Sequence, residues 1–278
     1  LFSTTLTLAS ISFGIWQGWW LSSILLITAY FILLENMMQQ TTPKTLDKST
    51  IELFRQRGFV RIPGVITKDE AESFRIAALN ASKQSDPYKI RPVFSQHVNV
   101  WREHKDMSEL TLHPNVGAIA QKLAGAPMRL WHDHILIKEP QNEVATEFHQ
   151  DQPYWPHSNS PNALSAWIAL CDVPVERGCM SFISNSHNHK ELTAQNLLDE
   201  RDLFTKCPEL EYEERVTLPL KAGDCTYHHA RCAHMATPNE TDEPRVAHVV
   251  IFMDQTTTYV ERNHVVTDPL GLRPGDLL

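Results

Sequence analysis

The sequence has little positive charge and no closely spaced cysteines. Its 278 residues include 25 Lys and Arg against 33 Asp and Glu, which gives a formal net charge of −8 at pH 7. Proteins that bind nucleic acids concentrate Lys and Arg to neutralise phosphates, and no stretch here does so, so we expect no nucleic-acid partner. The five cysteines are odd in number and contain no CxxC pair. They therefore fit neither a disulfide framework nor a zinc ribbon and predict buried thiols in a reducing compartment.

Apolar residues are concentrated at the start of the chain, where the first 34 residues contain no Asp, Glu, Lys, Arg or His. The segment Ile11–Leu34 is long enough to cross a bilayer core of about 30 Å. Neither a basic n-region nor a cleavage site for a signal peptide is visible. Two interpretations stay open: a membrane anchor, or translated upstream sequence before a start near Met37. We expect an apolar leader at residues 1–36, a linker at residues 37–49 and one cytoplasmic catalytic domain at residues 50–278. Contact with a membrane is expected only if the leader is part of the protein.

Helix signals come before strand signals along the rest of the chain. Thr50–Arg57 reads as a helix ended by Gly58, and Thr67 with Glu70 forms a capping box that starts a second helix. From residue 128 onward, short runs rich in β-branched and aromatic residues alternate with Pro, Gly, Asn and Asp. These runs are MRLWHDHILIK, ALSAWIAL, CMSFIS, RVTLPL, DCTYHHA and RVAHVVIFM. The order predicts a mainly β fold, an antiparallel sandwich or barrel with a helical annex on one side.

The motif His149-Gln-Asp151 suggests a metal site. On an extended strand these two side chains would point to the same face, and an imidazole with a carboxylate makes two thirds of the facial triad that holds non-haem Fe(II). His234 is a candidate for the third ligand. His228 and His229 are adjacent, so at most one of them faces inward on a strand.

Arg245 follows His234 by eleven residues, after a turn-forming cluster. We expect the chain to fold back there and to bring the guanidinium near the metal site, where it could bind a carboxylate through two hydrogen bonds. Three metal ligands and a carboxylate-binding arginine suit an iron enzyme that uses a 2-oxo acid as cosubstrate.

With these residues, the sequence resembles the phytanoyl-CoA dioxygenase family of Fe(II)- and 2-oxoglutarate-dependent oxygenases. The resemblance runs from about Thr50 to the C-terminus. It is carried by HQDQPYWP, by the block Trp167–His187 and by the spacing from His234 to Arg245. It implies a double-stranded β-helix, or jelly roll, with N-terminal helices packed on one sheet. It also implies Fe(II), 2-oxoglutarate and O2 as cofactor and cosubstrates, and hydroxylation of an unactivated C–H of a small organic or lipid-like substrate, with release of succinate and CO2.

The resemblance also assigns residues to roles. Iron would be bound by His149, Asp151 and His234, and the far carboxylate of 2-oxoglutarate by Arg245. The family's namesake has a Ser at the position of Ala236. The other residues implied for the cosubstrate site are Trp167, Thr237, His134 and Lys138, and those that either contact substrate or belong to the rim are Tyr154 and Trp155.

Two alternatives from other classes stay open. One is a non-catalytic, cupin-like module that binds a small ligand, and the other is a jelly-roll enzyme that uses another metal without 2-oxoglutarate. Arg245 distinguishes the oxygenase from both alternatives, because neither alternative needs a carboxylate-binding arginine beside its third metal ligand. Asp151 favours oxygen insertion over halogenation, since related halogenases carry a small residue there. His187 and His189 are expected to close a structural turn, and the only partner we expect is a small-molecule substrate.

Overall fold

The computed structural model describes residues 21–31, 45–84, 88–90, 93–142, 144–157, 159–189 and 193–278. The chain divides into two compact units, Leu1–Pro43 and Lys44–Leu278. In the first unit, residues 21–31 form a helix whose side chains are mostly exposed. The remainder of the predicted leader and most of the predicted linker lie outside the described residues. None of the helices within the described ranges is both long and apolar enough to cross a membrane.

Five α-helices lie in the part of the second unit that the structure describes, and their ends follow from local signals in the sequence. Asp47 accepts a hydrogen bond from the amide of Thr50 at the first N-terminus, and Gly58 ends that helix with φ 84°. At the second helix the amide of Thr67 donates to Glu70 and the amide of Glu70 to Thr67, which is the predicted capping box. The helices are α1 (Lys48–Arg57), α2 (Lys68–Gln84), α3 (Lys105–Thr111), α4 (Pro114–Ala124) and α5 (Asp202–Lys206).

Eleven strands in the described ranges form two antiparallel sheets. The large sheet has the order β1-β9-β6-β11-β4-β3-β2, and the small sheet has the order β5-β10-β7-β8. The strands are β1 (Phe59–Ile62), β2 (Tyr88–Ile90), β3 (Phe94–Val98), β4 (Met128–Lys138), β5 (Thr146–His149), β6 (Leu164–Ala169), β7 (Met180–Ile183), β8 (Arg215–Leu218), β9 (Cys225–His229), β10 (His234–Ala236) and β11 (Arg245–Asp254).

Each face of the large sheet packs on a different layer. Its outer face forms one core with α1 to α4, where Phe54 and Ile119 meet strand residues such as Ile135. Its inner face forms a second core with the small sheet, and Phe59 stacks on Phe182 across that interface at 4.6 Å between ring centroids. The fold is therefore a jelly roll with the helices packed on one sheet, and the predicted fold class is confirmed.

The pairing of β4 with β11 determines which side chains enter the space between the sheets. Arg245 lies opposite Lys138, and Val249 lies opposite His134. Since side chains alternate along a strand, these positions share the inner face with every second residue beside them. After β10 in the small sheet, the chain crosses to the large sheet before β11 begins at Arg245.

On the outer face, a buried polar cluster joins α3 to β4 and β11. Asp133 accepts hydrogen bonds from the Thr111 hydroxyl at 2.9 Å and from the Trp101 amide at 3.1 Å, and its carboxylate lies 3.5 Å from Nε2 of His248. Burial raises the pKa of Asp133 to about 7 and lowers the pKa of His248 to about 3. The cluster lies on the side of the sheet opposite the space that holds His149.

Candidate metal centre and adjoining cavity

Two neighbouring strands of the small sheet bring the candidate ligands together. His149 is the last residue of β5, His234 is the first of β10, and the two are paired in the ladder. Asp151 lies beyond the strand in a helical conformation, with φ −74° and ψ −45°. The expectation that His149 and Asp151 share an extended strand is wrong, because the amide of Gln150 donates to the side chain of Gln195 and leaves the ladder.

The donor atoms of these three side chains face one another. Nε2 of His149 and Nε2 of His234 each lie 3.7 Å from Oδ1 of Asp151, and all three donors are within 4.8 Å of one another. Nδ1–H of His149 donates to the carbonyl of Glu147 at 2.8 Å, and Nδ1–H of His234 donates to that of Cys232 at 2.9 Å. These hydrogen bonds fix the tautomer that leaves each Nε2 lone pair free for a metal.

The second carboxylate oxygen of Asp151 has partners on the large sheet. Oδ2 accepts a hydrogen bond from the Ser165 hydroxyl at 3.1 Å and lies 3.5 Å from Nε2 of His228. His228 is buried and faces inward from β9, whereas His229 places Nε2 2.8 Å from the Pro161 carbonyl. Of the adjacent histidines only His228 faces the site, and it leaves Oδ1 as the oxygen directed at the metal position.

Burial and mutual charge set the protonation states of the triad. Burial lowers the pKa of His149 and of His234 to about 4. Burial by itself would raise the pKa of Asp151, but His234, His228 and His149 together hold it below its ordinary value. At neutral pH the site therefore offers two neutral imidazoles and one carboxylate. That donor set fits a divalent iron ion with open positions on one face.

A cationic group forms another part of the same space. Arg245 is 2% exposed, and its guanidinium carbon lies 5.2 Å from the centre of the Trp167 ring. Within the described ranges its Nε has no hydrogen-bond partner, and no carboxylate is among the groups that act on its pKa, which burial lowers to about 10. A buried charge without a counter-ion is costly, so this position is suited to bind an anion.

Lys138 lies beside Arg245 and is fully buried. Its Nζ donates to the carbonyl of Thr237 at 2.7 Å, and burial together with the charge of Arg245 lowers its pKa to about 7. Gly178 packs against both cations with φ 74°. A Cβ there would lie 3.3 Å from Cδ of Lys138 and 3.4 Å from Nε of Arg245. The backbone conformation thus favours glycine there, and a Cβ would make a tight contact with the side chain of Lys138.

A cavity of about 760 Å³ between the sheets connects the triad with Arg245. Thr237 donates its hydroxyl to the carbonyl of Val175 at 2.6 Å and does not line the cavity, and Lys138 lies behind the lining residues. His187 lies in a short 3-10 turn, 3.1 Å from the Arg55 carbonyl, as expected of a structural residue. The predicted residues that line the cavity are His149, Asp151, His234, Arg245, Trp167, His134, Tyr154 and Trp155.

Three histidines that line the cavity were not among the predicted site residues. His228 faces the cavity because its neighbour Tyr227 faces the helices, where the Tyr227 hydroxyl donates to the Val116 carbonyl. Strand parity alone does not decide between His228 and His229. His132 shares the inward face of β4 with His134 and could have been found from strand parity. His264 lies in an irregular segment, which carries no periodic signal.

Comparisons with known proteins agree with this architecture. The family model of phytanoyl-CoA dioxygenase matches residues 54–247, a range that includes the triad and Arg245. The methylphosphonate hydroxylase of Gimesia maris is 24% identical over 216 residues, which are 72% of this chain and 78% of that protein. The L-proline trans-4-hydroxylase of Streptomyces griseoviridis is 22% identical over 138 residues, covering 47% and 52%. The chain likewise spans about half the length of the other curated relatives that it matches.

Two solved structures are similar over most of their length. The α-ketoglutarate-dependent carbocyclase SnoK from nogalamycin biosynthesis is 36% identical with a TM-score of 0.75, and the match covers 85% of this chain and 96% of that one. The epimerase SnoN, in complex with Fe3+, α-ketoglutarate and nogalamycin RO, is 34% identical with a TM-score of 0.76, covering 83% and 94%. The similarity therefore includes both the fold and the strands that carry the candidate site.

Proposed function

The chain belongs to the phytanoyl-CoA dioxygenase family of iron- and 2-oxoglutarate-dependent oxygenases, and from that premise we propose that His149, Asp151 and His234 bind the Fe(II) ion. The observation that carries the assignment is the convergence of two free Nε2 atoms and one carboxylate within 4.8 Å of one another. The family match at residues 54–247 lies within the expected catalytic domain, residues 50–278. When bound, the iron together with 2-oxoglutarate and O2 would provide the chemistry that oxidises a substrate C–H bond, with release of succinate and CO2.

The residues of the chain prepare the site for this chemistry. Arg245 binds the far carboxylate of 2-oxoglutarate, because it is a buried guanidinium without an ion-pair partner in the described part of the chain. Trp167 packs against the guanidinium and keeps water from it. Lys138 holds the turn after β10 through its hydrogen bond to the Thr237 carbonyl. His228 and Ser165 orient the carboxylate of Asp151.

The substrate is a small molecule, and the reaction that we propose is hydroxylation. Named relatives include hydroxylases of methylphosphonate and L-proline, and the similar structures are a carbocyclase and an epimerase. The retained carboxylate at Asp151 favours oxygen insertion. Arg245 argues against a non-catalytic cupin-like module and against a metalloenzyme that works without 2-oxoglutarate, since neither requires a buried guanidinium beside the triad.

Calorimetric titration of 2-oxoglutarate, with Mn(II) in place of Fe(II), tests this proposal. The wild type should bind 2-oxoglutarate only when the metal is present, and His149→Ala and Asp151→Ala should lose that binding. His104→Ala is the matched control, because His104 precedes α3 and does not line the cavity. Binding of 2-oxoglutarate without metal, or unchanged binding by the triad variants, would overturn the assignment.

A further inference from the structure

Part of the cavity is lined by imidazoles that are not proposed metal ligands, and we assign His134 to this group rather than to the cosubstrate site for which the family resemblance implied it. His132 and His134 face it from β4, and His264 faces it from the C-terminal segment. The ring centroids of His132 and His134 are 5.4 Å apart, and those of His132 and His264 are 5.8 Å apart. We name these three residues the histidine cluster. His134 precedes Lys138 by four positions, about 13 Å along an extended strand, so the cluster and Arg245, which lies opposite Lys138, are at different parts of the cavity.

The histidine cluster is neutral and has unused hydrogen-bonding capacity. Burial lowers the pKa of His134 and of His264 to about 4, and that of His132 well below its usual range. A neutral imidazole has one N–H donor and one lone pair. Within the described ranges, Nε2 of His134 and Nε2 of His264 have no hydrogen-bond partner and are not among the fully buried atoms, whereas Nε2 of His132 and Nδ1 of His134 are enclosed by the protein. A ligand with hydroxyl or carbonyl groups could therefore hydrogen-bond to Nε2 of His134 and of His264.

Flat aromatic surfaces surround the cluster. Trp131 packs on His264 with ring centroids 4.9 Å apart and planes 31° apart, and it meets Trp155 edge to face at 5.2 Å. Trp155 lines the cavity itself. Rings of this kind bind other flat ring systems through offset or edge contacts.

The charged residues near the histidine cluster disfavour an anionic ligand at that part of the cavity. Among the lining residues that the structure describes, Arg245 is the single Lys or Arg, and it belongs to the cosubstrate site. Near the cluster the charged lining residue is Asp268, whose carboxylate accepts a hydrogen bond from the amide of His264 at 2.8 Å. A phosphate or sulfonate would therefore be desolvated here without a counter-ion.

We infer that the histidine cluster, with the adjoining Trp155, binds a flat, uncharged ring system whose hydroxyl or carbonyl oxygens hydrogen-bond to the imidazoles. This inference rests on the proposed function, because the ring system is the substrate that the metal centre oxidises. An acyl chain fits less well, since it would cover the ring nitrogens without satisfying them. Each satisfied hydrogen bond corresponds to about a 2- to 13-fold change in Kd.

Matched probes test the inference on the full chain loaded with Mn(II) and 2-oxoglutarate. The probes are 1,5-dihydroxynaphthalene, naphthalene, naphthalene-1-sulfonate and 1-decanol, titrated by calorimetry. We expect the dihydroxy compound to bind with a Kd at least about fivefold below that of naphthalene, which corresponds to one net hydrogen bond. The sulfonate and the alcohol should bind more weakly than the dihydroxy compound.

Three variants assign that preference to the cluster. His134→Phe should remove most of the advantage of the dihydroxy probe over naphthalene, whereas His134→Gln, which keeps a donor and an acceptor, should retain part of it. His264→Phe provides a second test on a half-buried residue outside the sheets. Equal affinity for all four probes, tighter binding of the sulfonate or alcohol, or an unchanged preference in both Phe variants would overturn the inference. Failure of the wild type to bind 2-oxoglutarate would instead refute the proposed function.

Discussion

Replacing Arg245 with methionine should make the ligand-free protein more stable and remove its response to 2-oxoglutarate. Arg245 is 2% exposed, and its Nε is without a hydrogen-bond partner in the described part of the chain. Burial lowers the pKa of its guanidinium from 12.5 to about 10. At 1.36 kcal/mol per pKa unit this corresponds to a cost of about 3 kcal/mol for the charged form, which is present in full at pH 7 because both pKa values lie above it.

The net gain is smaller than that cost, because the arginine also makes a favourable contact. Its stacking on Trp167 contributes roughly 0.5–2 kcal/mol, which Arg245→Met loses, while the methionine fills much of the same apolar volume. The free energy of unfolding without 2-oxoglutarate should therefore rise by about 1–2 kcal/mol. This agrees in sign with the general finding that apolar replacement of buried charges is often stabilising.

Ligand binding should change in the opposite direction. At a concentration one hundred times its Kd, 2-oxoglutarate should stabilise the Mn(II)-loaded wild type by about 2.7 kcal/mol. Loss of a buried, paired charge costs about 2–5 kcal/mol of binding energy, so the same concentration should stabilise Arg245→Met by less than about 1 kcal/mol. Urea unfolding with Mn(II), with and without 2-oxoglutarate, measures both quantities.

Arg75→Met is the matched control, because Arg75 forms an ion pair with the exposed Glu72 at 2.7 Å within α2, away from the cavity. Its stability should change by less than about 1 kcal/mol, and its stabilisation by 2-oxoglutarate should equal that of the wild type. The reasoning would be refuted if Arg245→Met unfolded more easily than the wild type and was still stabilised by 2-oxoglutarate to the same extent.

Three further predictions follow from single contacts. His228→Leu should weaken Mn(II) affinity, measured by electron paramagnetic resonance, about 10- to 100-fold, because Asp151 loses an orienting partner; unchanged affinity would contradict this role. Gly178→Ala should destabilise the protein and weaken 2-oxoglutarate binding. Gly271→Ala, also at positive φ but with open space around it, should lower only the stability, by about 1 kcal/mol. Equal effects of the two substitutions on 2-oxoglutarate binding would contradict the steric argument. Burial raises the pKa of Asp133 to about 7, so between pH 4 and 7 its carboxyl group ionises more readily in the unfolded protein than in the folded one. As the pH rises over this range, the wild type should lose up to about 4 kcal/mol of stability relative to Asp133→Asn. Urea unfolding at several pH values measures this loss, and parallel profiles for the two proteins would refute it.

The fold was predictable because its signals are local. The β-branched and aromatic residues of the runs at β4 and β11 and the caps at Thr67 and Gly58 are signals within one element, and the structure has those elements close to the predicted bounds. The run of helices before strands was then sufficient to predict a helical annex on one side of a β structure. The pairing order of the two sheets depends on contacts distant in sequence, which the periodicity does not contain.

The candidate site was predictable only in part, for a related reason. The residue types and the spacing of His149, Asp151 and His234 indicated the triad, but the strand parity used to join the first two is not the geometry that joins them. Thr237 lies next to the correct turn, yet its hydroxyl is bound by the Val175 carbonyl, a contact made across the fold. His264 reaches the cavity from an irregular segment, whose path depends on tertiary packing.

The charges of the proposed site also agree with the uncharged substrate that we infer. Two positive charges of iron and one of Arg245 would balance the single charge of Asp151 and the two of 2-oxoglutarate. Lys138 can stay neutral in this arrangement, because burial and Arg245 lower its pKa to about 7. An anionic substrate would add an unbalanced charge to a buried cavity, where the Coulomb energy is several times larger than in water. The proposed filled site is thus electrically complete before the substrate enters, and the histidine cluster can select the substrate by hydrogen bonds and ring shape.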